Sequence, residues 1–196
     1  GTVYSKGFRL AKRHADVADR FSKLLLTLFG TIGSPITNGG AVGFEVRSSA
    51  LAAWLLEIGG MAPNKKAIPE AVLRSSPSIQ AAFLRGLFED GSVHEKRGVL
   101  DHIEWSSCYP EMVSQVRIML LRLGIVSGCT SYDPRRLYIY GAFAKRFKEV
   151  AGFVSKFKND RLLLPTGKAT RYRIPCLKSE VPKWREIEGL SEYDYQ

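Results

Sequence analysis

Cysteine and histidine are both scarce in this chain of 196 residues, which has three of each. Cys108, Cys129 and Cys176 are odd in number and widely spaced, and no Cys-x-x-Cys pair occurs. This spacing argues against a zinc site and more strongly against a disulfide framework. Free thiols fit a reducing compartment, so we expect a cytoplasmic location, in a host nucleoid or an organelle if not in the cytosol itself.

Long apolar runs are missing as well. No stretch approaches the roughly eighteen uninterrupted apolar residues of a transmembrane helix, so no membrane partner is expected. Acidic residues are few, with 19 Asp and Glu against 29 Lys and Arg, a formal net charge of +10 and a pI near 9.7. A basic surface gains affinity for duplex DNA by releasing condensed counterions. The charge therefore favours a DNA partner, although a ribosomal or other basic RNA protein would share it.

The chain does contain an internal repeat. An apolar helical run that ends at Gly30 recurs 94 residues later and ends at Gly124. A short strand follows each run, Phe44–Arg47 in the first copy and Leu137–Tyr140 in the second, 93 residues apart. A second helix follows both strands. So long a period indicates two copies of one supersecondary unit, because a solenoid needs at least three shorter repeats.

One segment, Ala81–Val93, precedes the second copy and has no counterpart in the first. Its residues 83–93 read FLRGLFEDGSV, and the last three of them match the opening Gly1-Thr2-Val3. We therefore expect the first copy to begin just after an equivalent helix and acid. The segment resembles the signature helix of the LAGLIDADG homing endonucleases of introns and inteins. The resemblance extends to the order of strands and helices in both halves.

The resemblance implies a mixed α/β (α+β) fold with two pseudo-symmetric units of the αββαββα type. The antiparallel sheets of the two units would form a DNA-binding saddle, with the helices packed behind them. We expect the first unit, without its signature helix, at residues 1–62, and a linker at residues 63–78. The second unit would occupy residues 79–157, and a basic C-terminal extension would occupy residues 158–196.

The resemblance also implies a metal site between the lower ends of two signature helices. One acid from each helix would hold Mg²⁺ or another divalent cation, for which hard carboxylate oxygens are suitable ligands. In this chain the expected metal-site residues are Asp90 and Gly91, with Gly1 marking the place of the absent first acid. Such a metal activates the attacking water and stabilises the leaving oxygen in phosphodiester cleavage.

The signature motif is one position shorter here than the nine positions of the family, so Glu89 and Asp90 are both candidates for the catalytic acid. Asp90 is preferred because it directly precedes Gly91. Losing one residue from a regular helix rotates the acid by about 100°, and a tightened last turn would restore its direction. Family members also carry a lysine near each acid. Lys6, Lys12 and Lys96 are all candidates, and the sequence does not choose among them.

Side chains alternate between the two faces of a strand, which assigns Phe44, Val46, Leu137 and Ile139 to the core face. The opposite face is polar, basic and aromatic, and a two-stranded ribbon of this kind fits the major groove of DNA. Further candidates lie in the turns and on the strand that follows the acid. The residues expected to bind DNA are Lys6, Arg9, Lys12, Arg47, His94, Lys96, Arg97, Arg135, Arg136, Tyr138 and Tyr140.

These features predict a sequence-specific, metal-dependent double-strand DNA endonuclease that works as a pseudo-symmetric monomer. Full activity would need a complementing segment or chain that carries the first LAGLIDADG helix. The alternative is a degenerate LAGLIDADG protein that binds DNA, or acts as an intron RNA maturase, without cleaving. The two hypotheses differ in whether a second carboxylate meets Asp90 or Glu89 at a metal.

Overall fold

The chain folds into two units of the same topology. The computed structural model describes residues 2–38, 40–58, 61–62, 65–130 and 133–166. Gly1 and most of the expected C-terminal extension therefore lie outside the described residues. No helix in the described part of the chain is both long enough and apolar enough to cross a membrane.

The first unit has the element order ββαββα. Its strands pair in the order β1-β2-β4-β3, and every neighbouring pair is antiparallel. The first helix ends where Gly30 adopts a left-handed conformation with φ of 62°, which glycine does without a Cβ penalty. The elements are β1 (Thr2–Tyr4), β2 (Gly7–Lys12), α1 (Ala15–Phe29), β3 (Ser34–Asn38), β4 (Ala41–Val46) and α2 (Ser49–Ile58).

Short elements connect the units: β5 (Met61–Ala62), β6 (Lys65–Lys66) and α3 (Glu70–Leu73). The second unit repeats the order of the first and adds a leading helix. Its strands pair as β7-β8-β10-β9, again antiparallel throughout. Its elements are α4 (Pro77–Leu87), β7 (Ser92–Lys96), β8 (Val99–Ser106), α5 (Pro110–Arg122), β9 (Gly128–Thr130), β10 (Asp133–Tyr140), α6 (Gly141–Val150) and α7 (Lys156–Arg161).

Equivalent residues of the two copies also have equivalent partners in the two sheets. Val46 on β4 pairs with Phe8 on β2, as Ile139 on β10 pairs with Ile103 on β8. The two mixed α/β units with antiparallel sheets and packed helices confirm the predicted fold class. The boundaries of the two units and of the linker stay a prediction.

The signature helix α4 has clear local start and stop signals. Ser76 is extended and Pro77 occupies the first turn, where the missing proline N–H would have no partner in any case. At the other end Phe88–Asp90 forms a single 3₁₀ turn. Of the two geometries that the shortened motif allowed, the structure has the tightened last turn, and this turn sets the directions of Glu89 and Asp90.

The core of the second unit lies between its sheet and its helices. Phe88 packs against Phe147 of α6, with 4.8 Å between ring centroids, and also stacks on Trp105 of β8. All three rings are buried. The core of the first unit is smaller, with Phe8, Leu25 and Val46 as its buried members.

Helix α7 joins the two units. The amide of Lys156 donates to Asp16 Oδ2 of α1 at 2.7 Å. Phe157 stacks on His14, which lies just before α1, with 5.2 Å between ring centroids. These contacts hold the start of α1 next to the end of the second unit.

Candidate nucleic-acid interface and acid site

Each sheet has one face against its helices and one face turned away from them, which we call the open face. On β10, Leu137 and Ile139 are fully buried in the core, whereas Arg136 and Tyr140 are exposed. The predicted alternation of core and open-face residues is confirmed on this strand. Whether the open-face residues contact DNA stays a prediction.

The open face of the first sheet is organised around one acid. Glu45 accepts hydrogen bonds from Tyr4 Oη and Arg9 Nε, both at 2.7 Å, and from Arg47 Nε at 3.1 Å. These donors stabilise the carboxylate, so they lower the pKa of Glu45 to about 2, with the Tyr4 hydrogen bond as the largest cause. The predicted DNA residues Arg9 and Arg47 are thus held on this face, both largely exposed. Alternation with Phe44 and Val46 places Glu45 on this face, and its partners became evident only from the strand pairing.

The open face of the second sheet carries two histidines and an acid. His94 lies directly opposite His102 across the β7–β8 pairing, and their rings stack with 4.5 Å between centroids. His94 Nε2 is 3.3 Å from Glu104 Oε2. Arg136 Nη1 approaches the other oxygen of Glu104 at 3.4 Å. His102 and Glu104 were not singled out in the sequence, because their proximity to His94 depends on strand pairing.

Two tyrosines extend this face. Tyr138 and Tyr140 stack with 6.0 Å between ring centroids, and His102 contacts both rings. The face therefore combines a cluster of aromatic rings with the guanidinium of Arg136, which also pairs with Asp133 at 3.2 Å. Side chains of this kind supply stacking and charge to nucleic acids.

The remaining predicted DNA residues occupy turns and strand ends. Lys6 lies in the β1–β2 turn, and Lys96 and Arg97 lie where β7 turns into β8. All three are exposed, as is Arg135, whose guanidinium pairs with Asp133. The structure thus places basic side chains at the rims of both open faces.

The foot of the signature helix separates the two candidate acids. Glu89 is 8% exposed and accepts hydrogen bonds from the amides of Val154 and Ser155. The Asp90 side chain is 65% exposed and forms an ion pair with Lys12 from the end of β2. Glu89 thus fixes the turn, whereas the Asp90 carboxylate is available to a ligand from solvent.

Lys12 is the candidate lysine that reaches an acid. It belongs to the first unit, and its side chain crosses to Asp90 of the second unit, 78 residues away in sequence. Lys6 and Lys96 form no contact with either acid among the ion pairs of the described residues. Lys12 is on the opposite face of β2 from Arg9, because the two residues are an odd number of positions apart on the strand.

Lys158 of α7 is a buried residue that sequence analysis missed. Its ammonium donates to the carbonyls of Glu89 at 2.7 Å and Gly91 at 2.8 Å, and lies 3.7 Å from Glu89 Oε2. Burial lowers the pKa of Lys158, and the Glu89 carboxylate opposes that shift. The positive charge meets the carbonyl end of the signature helix, where cations are favourable. Its position in the expected C-terminal extension gave no sign of this role.

The donor set at the foot of the helix suits a hard divalent cation in part. Asp90 offers an exposed carboxylate, and oxygen ligands are those that Mg²⁺ prefers. Glu89 and the Gly91 carbonyl are already hydrogen-bonded to the protein. The residues present therefore supply one exposed carboxylate, that of Asp90, and the other expected position, beside Gly1, lies outside the described residues.

The second unit is similar to a known domain family. Residues 78–152 match the family model of the LAGLIDADG-like domain. A structure of mesophilic variants of the homing endonuclease I-DmoI is 16% identical, with a TM-score of 0.55, over 74% of this chain and 80% of that one. A second, of an I-DmoI variant with its target DNA in the presence of manganese, is 16% identical with a TM-score of 0.55, over 82% and 90%. At these identities the likeness establishes the fold.

Two further relatives cover the whole repeat. Full-length DUF199/WhiA from Thermatoga maritima is 18% identical with a TM-score of 0.56, over 94% of this chain and 60% of that one. The glutamine–fructose-6-phosphate aminotransferase (isomerizing) of Methanocaldococcus jannaschii is 25% identical over 201 residues, which cover 93% of this chain. This chain spans only 18% of the length of that enzyme.

Proposed function

We propose that this chain, whose second unit matches the LAGLIDADG-like domain model, is a DNA-binding protein that cleaves double-stranded DNA at a specific site when a second signature helix packs on its first unit. The observation that carries the proposal is the Asp90 carboxylate, exposed at the foot of the signature helix and paired with Lys12 of the other unit. Metal-dependent phosphodiester cleavage needs an accessible carboxylate of this kind.

Binding to DNA is supported by charge and by surface chemistry. The net charge is +10, and exposed arginines lie on both open faces, with tyrosines on the second. Phosphate contacts of arginine and lysine position a protein on the duplex, and side chains that reach base edges supply specificity. A structural neighbour, I-DmoI, has been solved with its target DNA.

A second signature helix is supported by an apolar groove in the first unit. A cavity of about 240 Å³ lies between β1, β2, α1 and α2, and Trp54 at its edge is 46% exposed. The equivalent residue of the second unit, Phe147, is fully buried because Phe88 of the signature segment covers it. An amphipathic helix is the partner that such a groove accommodates. The other residues that line the groove include Phe21, Leu25, Phe29 and Leu51.

The residues at the foot of the signature helix would then have different roles. Asp90 would hold a divalent cation, which when bound supplies an activated water and stabilises the leaving oxygen. Lys12 holds positive charge beside Asp90 and is placed to orient water next to the carboxylate. Glu89 and Lys158 keep the 3₁₀ turn in place through hydrogen bonds to the backbone. A second carboxylate would come from the added helix.

An intein is the genetic setting that we propose for the chain. The match to an aminotransferase involves a segment that is 18% of that enzyme, and the LAGLIDADG-like domain model matches within the same region of this chain. An endonuclease domain carried inside an unrelated enzyme explains both matches. Coding sequence for an aminotransferase on both sides of this chain would support the setting, and its absence would contradict it.

The proposal is tested by adding the helix in trans. The probe is a synthetic peptide with the sequence of residues 76–91, the chain's own signature segment, together with a plasmid library of random inserts and Mg²⁺. We expect a blue shift of Trp54 emission when the peptide binds, because the indole leaves water. We also expect linearised plasmids whose cut sites share a sequence. Trp54→Phe serves as the control for the fluorescence assignment.

Two variants separate binding from chemistry. Asp90→Asn should abolish cutting and leave DNA binding intact, since it removes a metal ligand and no phosphate contact. A peptide with asparagine at the position of Asp90 should shift Trp54 emission but restore no cutting. DNA binding without cutting in every combination would support the binding-module hypothesis and reject the nuclease.

A further inference from the structure

We propose that His94, His102 and Glu104 form a binding site for a divalent transition metal such as Zn²⁺ on the open face of the second sheet. Their ligand atoms all lie within 4.8 Å of one another, and no other group of three His, Cys, Asp or Glu in the described residues meets that criterion. The site shares no ligand with Asp90, the acid at the foot of the signature helix.

The distances are close to those of a coordinated metal. His94 Nε2 and His102 Nε2 lie 3.3 Å and 3.9 Å from the same oxygen, Glu104 Oε2. With metal–ligand bonds of about 2.0–2.2 Å, tetrahedral geometry places two ligand atoms roughly 3.3 Å apart. Small rotations of the two stacked rings would therefore bring all three atoms to one ion. Two histidines and a glutamate form the ligand set of a zinc site with an open position.

A neighbouring acid already orients one of the ligands. His102 Nδ1 is 2.8 Å from Asp101 Oδ2. This hydrogen bond places the proton on Nδ1, so Nε2 keeps its lone pair for the metal and faces Glu104. Metal-binding histidines are typically held in this way by a carboxylate that does not itself bind the ion.

The contacts that the three side chains now make are compatible with metal binding. Arg136 interacts with Oε1 of Glu104 and leaves Oε2 to the histidines. Ser92 Oγ lies 2.8 Å from His94 Nε2 and is the contact that a metal would displace. Nitrogen ligands favour zinc, copper or nickel over magnesium, so this site and Asp90 would take different ions.

The first unit provides an internal comparison. Strand pairing makes Gly7 equivalent to His102 and Arg9 equivalent to Glu104, and Tyr4 lies opposite Gly7 as His94 lies opposite His102. A glycine, an arginine and a tyrosine supply no such ligand set. The metal site is therefore a feature of one unit and does not follow from the repeat.

Titration of the full chain with Zn²⁺ by calorimetry tests the proposal, with Co²⁺ absorption to identify the ligands. We expect one tight equivalent of metal, and a tetrahedral Co²⁺ spectrum without the thiolate charge-transfer band that cysteine ligands would give. His102→Gln and Glu104→Gln should each remove this equivalent. Asp101→Asn should weaken binding by about 10–100-fold, because it removes the group that orients a ligand.

His14→Gln is the matched control, since His14 is the only histidine outside the cluster. It should leave the affinity unchanged, as should Asp90→Asn. Circular dichroism verifies the fold of each variant, and His94→Gln replaces His102→Gln if the latter does not fold. Three results would each overturn the proposal: zinc binding that is retained in both His94→Gln and His102→Gln, a thiolate band in the Co²⁺ spectrum, or no zinc binding by the unaltered chain.

Discussion

The two units share one topology but differ in how completely they cover their apolar surfaces. In the second unit the signature segment covers the helical layer, and Phe88, Trp105 and Phe147 are all buried. In the first unit α1 and α2 leave a groove open, with Trp54 and Phe29 both more than 40% exposed. A repeat in sequence therefore guarantees the same fold without guaranteeing the same packing. The signature segment is the element that completes the core of the second unit.

The largest expected effect tests that difference directly. Phe147→Ala should destabilise the chain by about 3–5 kcal/mol, the usual cost of deleting a buried aromatic ring. Trp54→Ala, at the equivalent position, should cost about 1 kcal/mol or less, because half of the ring is already in water. Urea unfolding measures both. Equal losses would mean that the groove of the first unit is not open in solution.

How much of the fold and of the candidate site could be predicted depends on how far apart in the sequence the contacting residues lie. The repeat and the alternation of Leu137 and Ile139 are local patterns, and both were read from the sequence. The tightened turn before Gly91 was one of two geometries that the shortened motif allowed. The distinct roles of Glu89 and Asp90 were not read from the sequence, since Glu89 is bound by amides 65 and 66 residues further along the chain. Local periodicity contains no information about such partners.

The second prediction concerns Lys158, whose ammonium donates to carbonyls at the end of the signature helix in the second unit. Lys158→Met should cost about 2–3 kcal/mol, because it leaves two carbonyls and the buried Glu89 without their cation. Adding Glu89→Gln should cost less than the sum of the two single changes, since the two residues form one network. A double-mutant cycle by urea unfolding checks this. Additive losses would show that Lys158 and Glu89 act independently.

The third prediction compares the open faces of the two sheets. Arg47→Ala in the first unit and Arg136→Ala in the second should each weaken DNA binding and reduce the logarithmic salt slope by roughly one. Affinities measured at several salt concentrations with one duplex provide both numbers. Arg74→Ala is the control, because Arg74 is as exposed as Arg47 and more exposed than Arg136 but directly follows α3, outside both open faces. A reduced affinity with an unchanged salt slope would indicate that the arginine contacts bases and not phosphates.

The smallest expected effect is on the pH dependence of stability, and it concerns the acid at the centre of each open face. In the first unit Glu45 is held ionised by Tyr4, Arg9 and Arg47, which lower its pKa from 4.5 to about 2. A carboxyl group whose pKa is lower in the folded state stabilises the protein above its unfolded pKa, and this stability is lost as the pH falls through the folded pKa. The contribution of Glu45 should therefore be complete above about pH 5 and disappear towards pH 2.

Thermal unfolding between pH 6 and about pH 2 tests this contribution. The unaltered chain should lose stability across the interval, and Glu45→Gln should lose measurably less because it has no carboxyl group to protonate. Exposure of Arg9 and Arg47 to solvent keeps the difference small. Glu104→Gln is the matched variant at the centre of the other open face. If Glu45→Gln follows the same pH curve as the unaltered chain, the Tyr4–Arg9–Glu45 cluster does not hold its charge in solution, and the contrast between the two faces is weaker than the structure indicates.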